Sequence, residues 1–494
     1  MRYDAVIIGS GLGGLVCANV LAQAGRSVLV IEKERQAGGC MQSYVRHGMS
    51  FDTGLHYIGG LGEGQSLHGI FKRLGLFALP WKQLDTGCVE DVYIKDNHYR
   101  LPSGFDNLQA QLAEYFPENA NGISEYTRML QSQTAMLPLT FSENSADWER
   151  AMQGYSAGAW PYLKATLKDE RLINAASAAA MKIELRRDSL PLFSYAHCYS
   201  GFAESAWRLK GHGNDIVKAL VGGIRKNGGE IITGDGVEHI TDSADGISAV
   251  ITQHGNRYEA GTFIADIHPA AVCSMIAEKN HIKRIYRMRM SNLQNTAGMF
   301  TLSVRLKPQR LRYFNCNKYV YTADNVWDVW NDDSTAPQGI MISCYVPEEG
   351  EWATQLDILT PIPDKMLNNE WLKTSVGNRL ADYKEWKNIM ADKCLAMAET
   401  AIPGIRNMVE ETYTSTPATY LSYTETPGGS AFGVRKDYRH PMQTFLTPRT
   451  PVPNLLLTGQ SLILHGVQGV VMTSLMACAE VLGRSYIGKE YLNI

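Results

Sequence analysis

The chain opens on a mostly apolar run, Tyr3 to Ile8, passes through a glycine-rich turn, and continues as an apolar stretch from Leu15 to Ala24. That order predicts a strand, a tight turn and a buried helix. Gly25 stops the helix, and RSVLVIE, ending at Glu32, predicts a second strand parallel to the first. In the middle of the chain Ile216, Leu220 and Ile224 recur at helical spacing, Gly228 and Gly229 stop that helix, and EIIT from Glu230 predicts the next strand. GISAVITQHG and RYEAGTFIADIHP continue as β segments. Near the other end, Leu455 to Leu457 predicts a buried strand, TGQ a turn at its carboxyl end, and Gly466 to Leu482, closed by Gly483, a helix. Between these pieces, YTRMLQSQTAML and LINAASAAAMKIEL read as helices, FTLSVRL, VYTADNVWDVW and GIMISCYV as strands, and Asn378 to Ala401 as a further helix. No internal repeat or low-complexity linker interrupts the pattern.

The first turn carries chemistry. Gly9, Gly11 and Gly14 stand in G-x-G-x-x-G: the first for the tight turn, the second for close approach of a pyrophosphate, the third for close packing of helix on strand. Phosphates placed there meet backbone N–H groups at the positive end of the helix. Three glycines alone can mean only a turn; here a strand precedes, a helix follows, and Glu32 closes the unit as an acceptor for ribose hydroxyls. AGGCMQS comes next, where Gly38 and Gly39 let the loop approach a cofactor closely, and then FDTGLHYIG, Phe51 to Gly59, a short strand running into a glycine-rich turn.

EKERQAGGC followed by FDTGLHYIG resembles the N-terminal region of retinol saturases, within the broader phytoene desaturase and carotenoid isomerase family of flavoproteins. Many desaturases carry Arg after the Gly pair, whereas Cys40 matches the saturase branch, and the resemblance runs through the middle to YTETPGGSAFGVRKD and the C-terminal segment. It implies an α/β fold: a Rossmann-like FAD-binding domain of the glutathione-reductase type, assembled from residues 1–65, 201–275 and 451–494, with an inserted α+β substrate domain from residues 66–200, helix-rich, and 276–450. It implies FAD, held by Gly9, Ser10, Gly11, Leu12 and Gly14, by Glu32 and Lys33, and by Gly38, Gly39 and Cys40. Val237, by pattern only a strand residue, is then expected on the adenine side. The C-terminal segment returns to the first domain, so that Gly459, Gln460, Gly469 and Val470 approach the flavin and the helix N-terminus stabilises negative charge on the reduced ring. A buried core helix is the other reading of that segment.

Composition narrows the partners. At 494 residues and 45% hydrophobic, the chain can bury a large core in more than one compact unit. A formal net charge of −3 gives no reason to expect nucleic acid. Nine cysteines without a C-x-x-C pair argue against a full disulfide set and for a reducing compartment. No metal site is read from the chain. With the first strand starting at Tyr3 and no apolar stretch near the roughly 20 residues of a membrane span, a cytoplasmic protein is expected. HIKRIYRMRM, His281 to Met290, alternates cations with apolar residues and reads either as a solvated face or as a peripheral membrane-docking surface.

The retinol saturase resemblance implies an apolar polyene or isoprenoid substrate and chemistry at a C=C or CH–CH bond. Saturation needs a hydride equivalent on one carbon and a proton on the other. His56 and Tyr57 are the first candidates for the proton, His because it titrates near neutrality, Tyr only with support. Glu425 is a second acid, otherwise a loop carboxylate in solvent; Asp52 is better suited to capping a backbone N–H. The motifs leave saturation, desaturation and isomerisation open. No second dinucleotide motif marks a stable nicotinamide site, which leaves NAD(P)H as a transient electron donor. Two rivals share the architecture: a flavin amine oxidase relative and a non-catalytic lipid-binding escort protein.

Overall fold

The computed structural model describes residues 2–139, 145–277, 280–331 and 333–492. Its first unit is β1 (Arg2–Ile8), α1 (Leu12–Gln23) and β2 (Val28–Glu32). Every residue of β2 is buried, as the unbroken aliphatic run requires of a strand covered on both faces. The helix starts three residues earlier than the apolar run, because Gly11 already serves as its N-cap.

A parallel sheet forms around this unit in the order Glu230–Thr233, β2, β1, Arg257–Ala265, Leu455–Leu457. Ile8 pairs with both Ile31 and Ala265, and Ala265 with Leu457. The strands therefore end together, and the crevice beyond their carboxyl ends is where open α/β sheets bind ligands. An antiparallel pair, Val237–Ser243 and Gly246–Thr252, extends the sheet past Arg257–Ala265. Helix Gly213–Lys226 buries Ile216, Leu220 and Ile224 against α1. Its start is fixed by Asp52, whose Oδ1 accepts the Gly213 N–H at 2.8 Å and the Ser43 hydroxyl at 2.7 Å; Asp52 caps a backbone N–H. The C-terminal helix Gly466–Leu482 also packs along α1.

A second sheet has seven strands in the order Val409–Ser415, Gly298–Leu306, Gln355–Ile362, Gly339–Cys344, Asn317–Tyr321, Glu90–Ile94, Asn97–Leu101. All neighbours are antiparallel except Asn317–Tyr321 with Glu90–Ile94. Helices Ala120–Leu139, Ala159–Leu167 and Leu192–Glu204 pack beside it around a core rich in aromatic side chains.

Several elements differ from the sequence expectation. Residues 66–200, read as helix-rich, also contribute the pair Glu90–Ile94 and Asn97–Leu101, whose polar content hides its period. VYTADNVWDVW stops being a strand at Tyr321; the Asn325 side chain accepts the Trp327 N–H at 3.0 Å and turns the chain into a 3₁₀ segment. LINAASAAAMKIEL is helical only to Ser177 and continues as a 3₁₀ turn, Ala178–Lys182, with the Tyr321 hydroxyl donating to the Ala178 carbonyl. The helix expected over 378–401 spans Ala381–Ala398.

Candidate functional site

A cleft of about 580 Å³ lies beyond the carboxyl ends of the parallel strands and continues beneath the second sheet. One part is built largely from backbone. Gly9, Ser10, Gly11 and Leu12 line it, with Glu32, Lys33 and Val237 on one side and Gly39 and Cys40 on another. Gly9 adopts φ +94°, which a side chain would resist. Gly14 and Gly38 do not line the cleft. A Cβ on Gly14 would stand 2.2 Å from the Gly9 carbonyl oxygen, so this glycine sets how closely helix meets turn. Gly38 donates its N–H to the Ser10 carbonyl and hydroxyl, at 3.0 and 3.1 Å.

Glu32 is buried and accepts the Ser10 N–H (2.9 Å), the Ser10 hydroxyl (2.6 Å) and the Glu34 N–H (2.8 Å). Its position is thereby fixed at the end of β2 on the cleft wall. The C-terminal turn reaches the same place: a Cβ built on Gly13 would lie 3.2 Å from the Gly459 Cα, and Gly459, Gln460, Gly469 and Val470 all line the cleft. Two contacts hold it there. Ser474 donates its hydroxyl to the Gly13 carbonyl at 3.2 Å, and buried Lys436 donates to the carbonyls of Ser461 (2.7 Å) and Leu462. Burial pushes the Lys436 ammonium down to about 7.

Asp266 had no signal beyond its place just after the strand Arg257–Ala265. Its Oδ2 accepts the Gly14 N–H at 2.7 Å, and Cβ atoms on Gly11, Gly13 or Gly459 would meet its carboxylate within 2.5 Å. Burial pushes this carboxyl up to about 7 against the opposing pull of the Gly14 N–H. A carboxyl raised that far is partly protonated near neutrality, which lessens its repulsion of a phosphate in the glycine cradle. Together with the Glu32 acceptor and the positive end of α1, these residues fit a dinucleotide.

The other part of the cleft is built from side chains. Met181, Met299, Met341, Leu359 and Phe432 make an apolar chamber. His56 and Tyr57 stand on the cleft wall. His56 Nδ1 is 3.5 Å from Asp357 Oδ2, and buried Asp357 also accepts the Tyr345 and Ser303 hydroxyls, each at 2.6 Å. Tyr57 shares a hydrogen bond with the Tyr319 hydroxyl at 2.8 Å and contacts Lys182. Glu425 lies elsewhere: its side chain is 61% exposed and pairs with Lys33 at 2.8 Å, which ties it to the nucleotide part of the cleft. Lys182, Glu90 and Asp357 were missed by the sequence reading because lone charged residues in strands and turns carry no periodic signal.

The basic segment forms helix Arg284–Ser291, with Ile285 and Met288 exposed beside exposed Met442. Arg289 donates to the Met442 carbonyl at 2.8 Å. Among the described residues no helix is long and apolar enough to cross a membrane.

The fold and cleft are those of a Rossmann-type dinucleotide-binding protein. Residues 7–74 match the NAD(P)-binding Rossmann-like domain. Over 97% of its length the chain is 24% identical to all-trans-retinol 13,14-reductase of Danio rerio, covering 86% of that protein. Over 25% of its length it is 33% identical to the chloroplastic prolycopene isomerase of Daucus carota, covering 20% of it. Cyclohexylamine oxidase from Brevibacterium oxydans superposes with a TM-score of 0.60 at 14% identity, with both chains fully covered. The chain is thus similar along nearly its whole length to all-trans-retinol 13,14-reductase and over a quarter of it to prolycopene isomerase.

Proposed function

We propose that this protein is an FAD-dependent oxidoreductase acting on the C=C or CH–CH bond of an apolar polyene or isoprenoid. The observation that carries this reading is the continuity of one cleft, from the glycine turn and Glu32 to a chamber walled by Met181, Met299 and Met341. Bound flavin supplies hydride chemistry that no side chain can. The protein's part is to grip the dinucleotide by backbone, hold an apolar chain in a dry chamber, and manage a proton from His56 or Tyr57. Likeness to proteins named for all-trans-retinol and prolycopene supports the substrate class.

The test is anaerobic incubation of the FAD-loaded, chemically reduced protein with a panel of retinoids and carotenoids, followed by product mass analysis. A gain of two hydrogens marks saturation, and unchanged mass with altered absorbance marks isomerisation. Amine oxidation with peroxide release and untouched polyenes would replace the reading by an amine oxidase. We also propose that Ile285, Met288 and Met442, with the neighbouring Arg284 and Arg289, meet an anionic bilayer from which such a substrate is drawn. Absence of co-sedimentation with anionic vesicles would remove that contact.

A further inference from the structure

Tyr57 cannot serve as an acid unaided. Burial and the Glu90 carboxylate both push its phenol well above the ordinary range. The support comes from Lys182, more than a hundred residues away in sequence, whose ammonium is in hydrogen-bond contact with the Tyr57 hydroxyl. The same ammonium lies 3.6 Å from the ring centre of Phe202, 4.6 Å from that of Tyr57 and 5.8 Å from that of Tyr199. Behind it stands Glu90, with Oε1 at 3.5 Å from Lys182 Nζ and 3.3 Å from the Tyr57 hydroxyl. Lys182 and Tyr57 line the cleft, whereas Glu90 is enclosed and keeps Oε2 without a hydrogen-bond partner.

A structural role alone does not account for this cluster. Enclosing an ammonium and a carboxylate costs several kcal/mol per ion, and an apolar pair of similar volume would fill the space as well or better. An unpartnered buried carboxylate oxygen calls for an explanation of its own. A proton-handling site gives one: Glu90 holds the positive charge in place, and the aromatic faces stabilise it while keeping water out.

We propose that Tyr57 and Lys182 form the proton-donating couple of this site, with Tyr57 as the acid at carbon and Lys182 as the residue that positions and reprotonates it. The proposal rests on the C=C reading above. In the step, the Tyr57 O–H bond breaks as a C–H bond forms at one carbon of the double bond, and a dihydroflavin delivers hydride to the other carbon. Lys182 then returns a proton to the phenolate and is itself reprotonated from solvent. Charge and hydrogen balance, with the alkene reduced and the dihydroflavin oxidised.

Burial pushes Lys182 down to about 8 against the opposing pull of Glu90. Around it stand Tyr57, Tyr319 and Glu90 on the sheet side and Tyr199 and Cys198 on helix Leu192–Glu204. His465, whose Nε2 is 3.0 Å from the Lys182 carbonyl, and His197 are both held neutral by burial down to about 4. Burial also raises the Glu90 carboxyl above its usual range, and Lys182 is the cation of the cluster that loses its proton just above neutrality. The proton is present below about pH 8 and lost above it, so alkene reduction falls as pH rises through that value.

The test uses FAD-loaded protein, chemically reduced without oxygen, and all-trans-retinol as the probe. Tyr57→Phe and Lys182→Met are expected to slow single-turnover reduction about 100-fold or more with probe affinity unchanged. The alkaline limb should vanish in Lys182→Met, and Lys182→Arg, which keeps the charge but does not release its proton, should not restore the rate. A second readout needs no turnover. Competitive acylation with acetic anhydride, read by peptide mass, should give Lys182 a midpoint near 8, displaced in Tyr57→Phe and in Glu90→Gln. Wild-type rates in Lys182→Arg, loss of the limb in His56→Asn instead, or acylation of Lys182 like an ordinary surface lysine would each overturn the couple. If the acylation result holds while no polyene is converted, the couple stands as an acid–base site and the C=C reading fails.

Discussion

The nucleotide part of the cleft and the apolar chamber are made in opposite ways. The first comes mainly from one short stretch, residues 8 to 40, and presents backbone, glycines and the carboxylate of Glu32, joined by Asp266 from the end of a neighbouring strand. The second takes Met299, Met341 and Leu359 from the seven-stranded sheet and adds Met181 and Phe432 from segments outside it. Backbone recognition demands particular residues at particular spacings, whereas an apolar wall accepts many side chains of similar size. The first therefore depends on particular residues, and the second on size and apolarity.

The contrast can be broken most severely at Gly14. Gly14→Val places carbon against the Gly9 carbonyl oxygen, and the expected loss exceeds about 4 kcal/mol, seen as failure to fold in a urea titration. Next is Asp266. Folding raises its carboxyl from the ordinary Asp range to about 7, so the folded state holds the proton more tightly than the unfolded chain. Stability of the cofactor-free protein should then fall as pH rises between about 4 and 7, by an amount on the order of 4 kcal/mol, and be flat above. Asp266→Asn should remove that slope, and an unchanged slope would show that another group carries it.

Glu32→Gln is expected to weaken FAD binding about 10- to 100-fold, the worth of charge-assisted hydrogen bonds, measured by flavin fluorescence titration. Met341→Trp sharpens the comparison from the other side: polyene affinity should drop at least about tenfold while FAD affinity holds. If both affinities fell together, the two parts would not be separable. The smallest effect is expected at Glu425→Gln. Its exposed pair with Lys33 contributes under about 1 kcal/mol, which a thermal melt would register as a shift of a few degrees at most.

How much was legible follows the same division. β1, α1, β2, the strand Leu455–Leu457 and the helix beginning at Gly466 were readable because glycine stops and aliphatic runs act locally. The pair Glu90–Ile94 and Asn97–Leu101 was not, since EDVYI and NHYRL owe their strand state to neighbours far along the chain. Gly9, Gly11 and Glu32 announced themselves by spacing. Asp266, Lys182 and Asp357 are single ionisable residues whose meaning arises only from what folding places beside them.

The central claim is that one cleft joins a flavin dinucleotide to an apolar substrate chamber, and a structure of the protein crystallised with FAD tests it most directly. The account predicts pyrophosphate against Gly11 and Leu12, ribose on Glu32, and the isoalloxazine between the Gly459–Gly469 turn and the wall bearing Tyr57 and Lys182. Protein that takes up no flavin, or flavin bound away from the glycine turn, would contradict it.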